Sequence, residues 1–180
     1  MIFTTKAVLL FAGMTLPIAA HALSLNITAI TANGTGSSIF ECWSLCAPLE
    51  TTTQPGLVGA ASSFLGEVAN MTYTVTSAGF DGGDHNAPYN QWVVPITGFG
   101  IVTLPDDPAA GLYVAKDMPN GIIFAADTAD LSHVGHGALF PGYTSTILLQ
   151  IPTLGNKVPE HTVLHAGYCT SNDTIGLATL

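Results

Sequence analysis

Arginine is absent from this chain, and lysine is almost absent. The 180 residues include three lysines and 12 acidic residues, which gives a net charge of −9 at neutral pH. Nucleic-acid binding depends on clustered lysine and arginine that neutralise phosphates, and attraction to anionic membranes depends on the same residues. We therefore expect neither nucleic acid nor a membrane as a partner. The lack of arginine also removes the usual clamp for a carboxylate or phosphate substrate.

Long apolar runs are scarce as well. The run over residues 7–16 follows the single positive charge of Lys6 and is too short to span a bilayer. The sequence Ala20-His21-Ala22 then fits the small-x-small pattern that signal peptidase cleaves. These features predict a signal peptide over residues 1–22, a secreted, extracellular protein and a single domain over residues 23–180.

Charged residues make up only 8% of the chain, so other polar groups must cover the surface. N-linked sugar is one such polar group, and in a secreted protein the short N-x-[ST] motif is its attachment site. The predicted glycosylation sites are Asn26, Asn33, Asn70 and Asn172.

Cysteine is also rare, with three residues at positions 42, 46 and 169. An extracellular route permits one disulfide and leaves one thiol, which we expect to be buried. We favour Cys42–Cys169, with Cys46–Cys169 as the alternative. Loop-closure entropy for so long a loop would contribute on the order of 4–5 kcal/mol to stability.

No long stretch has the 3.6-residue periodicity of an amphipathic helix. Instead, short runs rich in valine, isoleucine, threonine and aromatic residues are separated by glycine, proline, asparagine and aspartate, which is typical of a β-sandwich or β-barrel. The sequence therefore predicts one all-β domain. The expected strands cover residues 23–31, 38–45, 62–68, 70–76, 91–97, 99–104, 111–115, 121–125, 144–151 and 161–166.

The stretch from Gly79 to Gly98 carries the main functional signal. His85, Ala87, Tyr89 and Gln91 share parity, so on an extended strand their side chains would point to one face, and Trp92 to the other. An imidazole and an amide would then enter one cavity, with Tyr89 as a pocket residue.

The spacing Gly79-x5-His85-x-Ala87-x3-Gln91-x6-Gly98 resembles the first motif of the cupins, G-x5-H-x-H-x3,4-E-x6-G. The segment 120–128 and the following His133 resemble the second half of small cupins, so the likeness covers about residues 70–152. The whole chain is also similar to small secreted cupin-like proteins of filamentous fungi. This resemblance implies a double-stranded β-helix, the cupin-type jelly-roll barrel, and a homodimer paired through barrel strands.

The same resemblance implies a metal site made of His85, Gln91 and His133, with His136 as the alternative to His133. Ala87 stands where the family has a second histidine, and Gln91 stands where it has glutamate. Two imidazoles and an amide oxygen suit a borderline cation such as Zn, Cu, Ni or Mn.

Two acidic residues near these positions, Asp84 and Asp127, would accept hydrogen bonds from the imidazole N–H groups of such a site. Near the C-terminus, His161 and His165 would share a face of a strand and could form a second polar patch.

The sequence leaves the activity open. It has no Gly-x-Ser-x-Gly nucleophile turn and no acidic pair that would serve a glycosidase. Three hypotheses remain: a metal-binding protein with a small-molecule activity, a metal-free module that binds a carbohydrate or apolar ligand, and a structural or host-interaction protein.

Overall fold

The structure is a computed structural model, and it describes residues 23–174. The predicted signal peptide therefore lies outside the described residues. Residues 23–174 contain 13 strands, a 3₁₀ turn at Leu154–Asn156 and a one-turn helix α1 at Ser171–Thr174. The strands are β1 (Ser24–Ala32), β2 (Ser38–Pro48), β3 (Glu50–Thr51), β4 (Ala61–Ser62), β5 (Thr72–Thr76), β6 (Phe80–His85), β7 (Gln91–Thr97), β8 (Phe99–Leu104), β9 (Asp107–Ala115), β10 (Ile123–Ala125), β11 (His136–Phe140), β12 (Thr146–Pro152) and β13 (His161–Ala166).

Most of these strands belong to two sheets. The larger sheet has the order β13-β2-β1-β10-β7-β12-β5, and the smaller has the order β6-β11-β8-β9. Strands β3 and β4 form a separate short pair. Neighbours in both sheets are antiparallel except β1 and β10, which pair in parallel. This confirms the all-β prediction, whereas the parallel pair departs from the antiparallel arrangement of a jelly roll.

One strand prediction was wrong, and three strands, β3, β6 and β11, were not predicted. Only the short β4 forms near residues 62–68, and Gly66 in that stretch has a positive φ of 101°. Strand β6 was missed because it is a polar, glycine-containing strand whose residues are all exposed. Such an edge strand lacks the apolar alternation by which strands are recognised.

The larger sheet separates two apolar clusters. Its inner face, which meets the smaller sheet, contributes Ile30, Phe40 and Ile123 to a cluster with Val102 and Leu112. Its outer face carries a second cluster, whose large members are Ile27, Trp43, Trp92 and Phe124. Side chains alternate along β1, β7 and β10, so neighbouring residues serve different clusters.

The C-terminal tail is attached to the first two strands. Cys42 on β2 forms a disulfide with Cys169, which confirms the favoured pairing. The Cys169 N–H donates to Thr28 Oγ1 at 2.8 Å. Cys46 is the free cysteine and is exposed, so the expectation of a buried thiol was wrong. Among residues 23–174, no helix has the length and apolar character needed to cross a membrane.

Candidate functional site

A cavity of about 230 Å³ lies between the two sheets. Its walls are mainly apolar and include Ile30, Val93, Val102, Ile123, Phe140 and Leu148. Four polar side chains also line it: His85 and His136 from the smaller sheet, and Gln91 and Gln150 from the larger. A concave, largely apolar cavity with a few convergent polar groups is typical of a small-molecule site.

The two histidines are partners across neighbouring strands. His85 on β6 lies opposite His136 on β11, and their ring centroids are 4.7 Å apart. His136 is buried, whereas His85 is exposed. The Nδ1 atom of His85 lies 3.1 Å from Gly83 O, a backbone acceptor, so Nδ1 donates and Nε2 is left as the free nitrogen.

A glycine allows the chain to bring these histidines together. Gly135 has a φ of 84°, and a Cβ at this position would lie 2.1 Å from the carbonyl oxygen of His85. Any side chain would force the backbone segments apart, so glycine is required immediately before β11.

The buried carboxylate of Asp127 orients the His136 ring through a hydrogen bond. The Nδ1 atom of His136 lies 2.8 Å from Asp127 Oδ2, and the same oxygen accepts from Ser38 Oγ at 2.7 Å. Ser38 in turn contacts Ser132 Oγ at 2.8 Å. Because an ionised carboxylate only accepts hydrogen bonds, Nδ1 of His136 carries the proton and Nε2 is left as the free ring nitrogen.

The two acidic residues that we predicted as hydrogen-bond acceptors for the histidines, Asp84 and Asp127, differ in their contacts. Asp127 is the acceptor for His136. Asp84 lies on β6 opposite Gly137, and no hydrogen bond joins it to a histidine within residues 23–174.

Two glutamines complete the polar lining. Gln91 is 4% exposed, and its side-chain amide makes no hydrogen bond within residues 23–174; it is not among the fully buried unpartnered atoms, so it is reached from the cavity. Gln150 Oε1 accepts from Thr74 Oγ1 at 2.7 Å. Gln150 was not predicted as a site residue. It lies two positions from Leu148 on the strand predicted over residues 144–151, so its side chain was expected on the same face as this apolar residue.

The predicted set of His85, Gln91 and His133 is not brought together. His85 and Gln91 line the cavity, but His133 is exposed and absent from its lining. The His133 N–H donates to Gly36 O at 2.8 Å, and its ring lies against Gly36. His136, the alternative, occupies the cavity instead.

The residues from His85 to Gln91 do not form one extended strand. His85 ends β6 in the smaller sheet, and Gln91 begins β7 in the larger, with Ala87 between them at a bridge to Thr128. Ala87 also lines the cavity. Tyr89 is 56% exposed and is not among the residues that line this cavity.

The histidines of β13 do not form one patch. A β-bulge between Val163 and His165 changes the alternation of side chains. His161 stacks on Trp43 with ring centroids 3.6 Å apart, while His165 pairs with Asp173 at 3.2 Å.

The His165–Asp173 pair shifts both titrations. A hydrogen bond to the Ala166 carbonyl, followed by that to Asp173, raises the pKa of His165 above 6.5. The backbone and hydroxyl of Thr170, with a smaller contribution from His165, lower the pKa of Asp173 below 3.8.

A cluster of potential metal ligands lies beside this pair. Within the described part of the chain, Cys42, His165 and Asp173 offer ligand atoms within 4.8 Å of one another. Cys42 is bonded to Cys169, however, and thiolate sulfur is the form that binds metals. The cluster therefore lacks its sulfur ligand while the disulfide is intact.

The four sequons differ in access. The Asn26 side-chain nitrogen, to which sugar would attach, donates to Asp173 O at 2.7 Å in the folded chain. Asn33, Asn70 and Asn172 are exposed. The folded structure thus presents three of the four predicted acceptors.

Comparisons with protein-family models, with curated proteins and with solved structures find no match for this chain, and the resemblance to the cupins stays a prediction.

Proposed function

We propose that this protein binds a small molecule in the cavity between its two sheets, with the His85–His136 pair among its polar recognition groups. The observation that carries this proposal is the pair itself: two imidazoles face one apolar cavity, and each has one nitrogen left free by its neighbours. Asp127 fixes the orientation of the buried His136, which lowers the entropy lost on binding.

A divalent metal ion is the second proposal. A carboxylate that accepts from the distal nitrogen of a histidine is the arrangement found behind metal ligands, and Asp127 supplies it here. His85, His136 and the Gln91 amide oxygen would hold Zn, Cu, Ni or Mn. The ion would act as a Lewis acid towards a ligand in the cavity.

We also propose that the two facing sheets are a variant of the cupin jelly roll, and that the protein is secreted. The placement of His85 and Gln91 in one cavity supports the first proposal, because these positions match the family motif. The Cys42–Cys169 disulfide supports the second. The homodimer rests on the family resemblance alone.

A matched pair of histidine variants tests the binding function. Fragments at millimolar concentration would be screened by ligand-observed NMR against the wild type, His85→Ala and His136→Ala, with His133→Ala as the control histidine outside the cavity. We expect fragments that bind the wild type and His133→Ala but bind the two cavity variants at least fivefold more weakly, the loss of about one hydrogen bond. Elemental analysis of the natively purified protein tests the metal.

The outcomes separate the two proposals. Fragment binding that is unchanged in both cavity variants, or absent from the wild type, contradicts the small-molecule proposal. Less than a tenth of an ion per chain contradicts the metal proposal. His85→Ala keeps the test valid if His136→Ala does not fold, because His85 is exposed.

A further inference from the structure

We infer that the ligand of this cavity is a small, uncharged and largely apolar molecule with one carbonyl or hydroxyl oxygen, which Gln91 and Gln150 hold. This inference rests on the proposed binding function and names the chemical class of the ligand. It excludes the carbohydrates that the sequence left open as ligands.

Gln91 is the first support. The residue is 4% exposed and lines the cavity, and its side-chain amide makes no hydrogen bond within residues 23–174. The amide is not among the fully buried side-chain atoms that lack a partner, so it is reached from the cavity and can pair with a molecule there. Val93, which shares its parity on β7, lines the same cavity. An oxygen from a ligand would supply the missing partner.

Gln150 is the second support, because its orientation is already set. The Thr74 hydroxyl donates to Gln150 Oε1, so the NH₂ group is left to donate elsewhere. Gln150 pairs with Val93, and Gln91 pairs with Pro152. The two glutamines are thus diagonal neighbours on one face, roughly 7–8 Å apart at the backbone. Long amide side chains at that separation can reach one head group.

The charges exclude the other ligand classes. The lining contains no lysine, and the chain has no arginine and a net charge of −9. A carboxylate or phosphate would therefore lose its hydration without a permanent cation in return. A sugar would leave several hydroxyls against apolar walls, because only four polar side chains line the cavity.

Three probes of similar ring size test the ligand class. Cyclohexanone, cyclohexanecarboxylate and glucose would be titrated by NMR into the wild type, Gln91→Leu and Gln150→Leu. Gln54→Leu is the matched control, since Gln54 lies in an exposed loop. We expect only cyclohexanone to bind the wild type and Gln54→Leu, with affinity five- to tenfold lower in each cavity variant. Gln91→Met replaces Gln91→Leu if the latter does not fold.

Each remaining outcome overturns the inference in a recognisable way. Binding of cyclohexanecarboxylate or glucose with equal or higher affinity contradicts the ligand class but leaves the proposed binding function intact. Equal binding of cyclohexanone by the wild type and both cavity variants contradicts the role of the glutamines. If none of the three probes binds, the inference is wrong, and the fragment screen against the histidine variants decides the binding function separately.

Discussion

The two faces of the larger sheet differ in how completely they are packed. On the outer face, Trp92 meets Phe124 edge to face with ring centroids 4.8 Å apart, and Trp43 lies 5.9 Å from Phe124. On the inner face, one residue away along β7, Gln91 and Val93 line an open cavity. The same strands therefore carry a closed aromatic cluster on one side and an open cavity on the other.

This difference shows how one sheet can place two environments on adjacent residues. Successive side chains of a strand point to opposite faces, so a substitution at one position changes the aromatic cluster while a substitution at its neighbour changes the cavity. The predictions below test whether the two faces are independent.

The largest expected effect is on the outer face. Phe124 has no exposed surface and contacts both tryptophans. We expect Phe124→Ala to lower the free energy of unfolding by about 3–5 kcal/mol, because the loss of a buried aromatic ring leaves a cavity. Urea unfolding at equilibrium measures this value. A cost below about 1 kcal/mol would show that the outer cluster does not support the sheet.

A smaller loss of stability is expected at two isoleucines of β1, whose side chains lie on opposite faces of the larger sheet. Ile27 belongs to the outer cluster and Ile30 lines the cavity, and both are 1% exposed. We expect Ile27→Val to cost about 1–1.5 kcal/mol and Ile30→Val about 0.5 kcal/mol, within the usual range for this change. Ile30 lines the cavity, so removal of a methyl group there enlarges a space that already exists. Equal costs in urea unfolding would contradict the difference between the faces.

The smallest expected effect concerns the tail that closes the inner face beside Thr28 and Cys42. The pKa of His165 is raised, so its stabilisation is complete below about pH 6.5 and is lost as pH rises through the folded pKa. The pKa of Asp173 is lowered, so its stabilisation is present above about pH 3.8 and is lost as pH falls through the folded pKa.

The tail should therefore be held most firmly between about pH 4 and 6.5, with a small effect because His165 is exposed. Thermal unfolding of the wild type and His165→Gln from pH 4 to 8 measures this contribution, with His133→Gln as the exposed control. We expect the wild type to lose melting temperature above pH 6.5 relative to His165→Gln. Parallel profiles would contradict the role of the pair.

The sequence predicted part of this arrangement for sound physical reasons. Parity along β7 placed Gln91 and Trp92 on opposite faces, and the structure agrees. His85 lines the same cavity from β6 in the other sheet, so parity along one strand does not explain its position. The local sequence pattern did not predict strand β11, because this strand is short and begins directly after a turn. The pairing of His136 with His85 could therefore not be predicted from the pattern. Choosing between His133 and His136 required the pairing of β11 with β6, which joins residues about fifty positions apart.

By itself, the sequence determined the all-β class and the alternation that sorts side chains between two faces, because both follow from local backbone geometry. It also determined the absence of arginine and the scarcity of lysine, since composition does not depend on folding. Only the tertiary structure decided that β6 and β7 belong to different sheets, that Asp127 supports His136, and that Gln91 meets a cavity without a partner. These facts depend on contacts between distant segments, and such contacts are set by the packing of the whole chain.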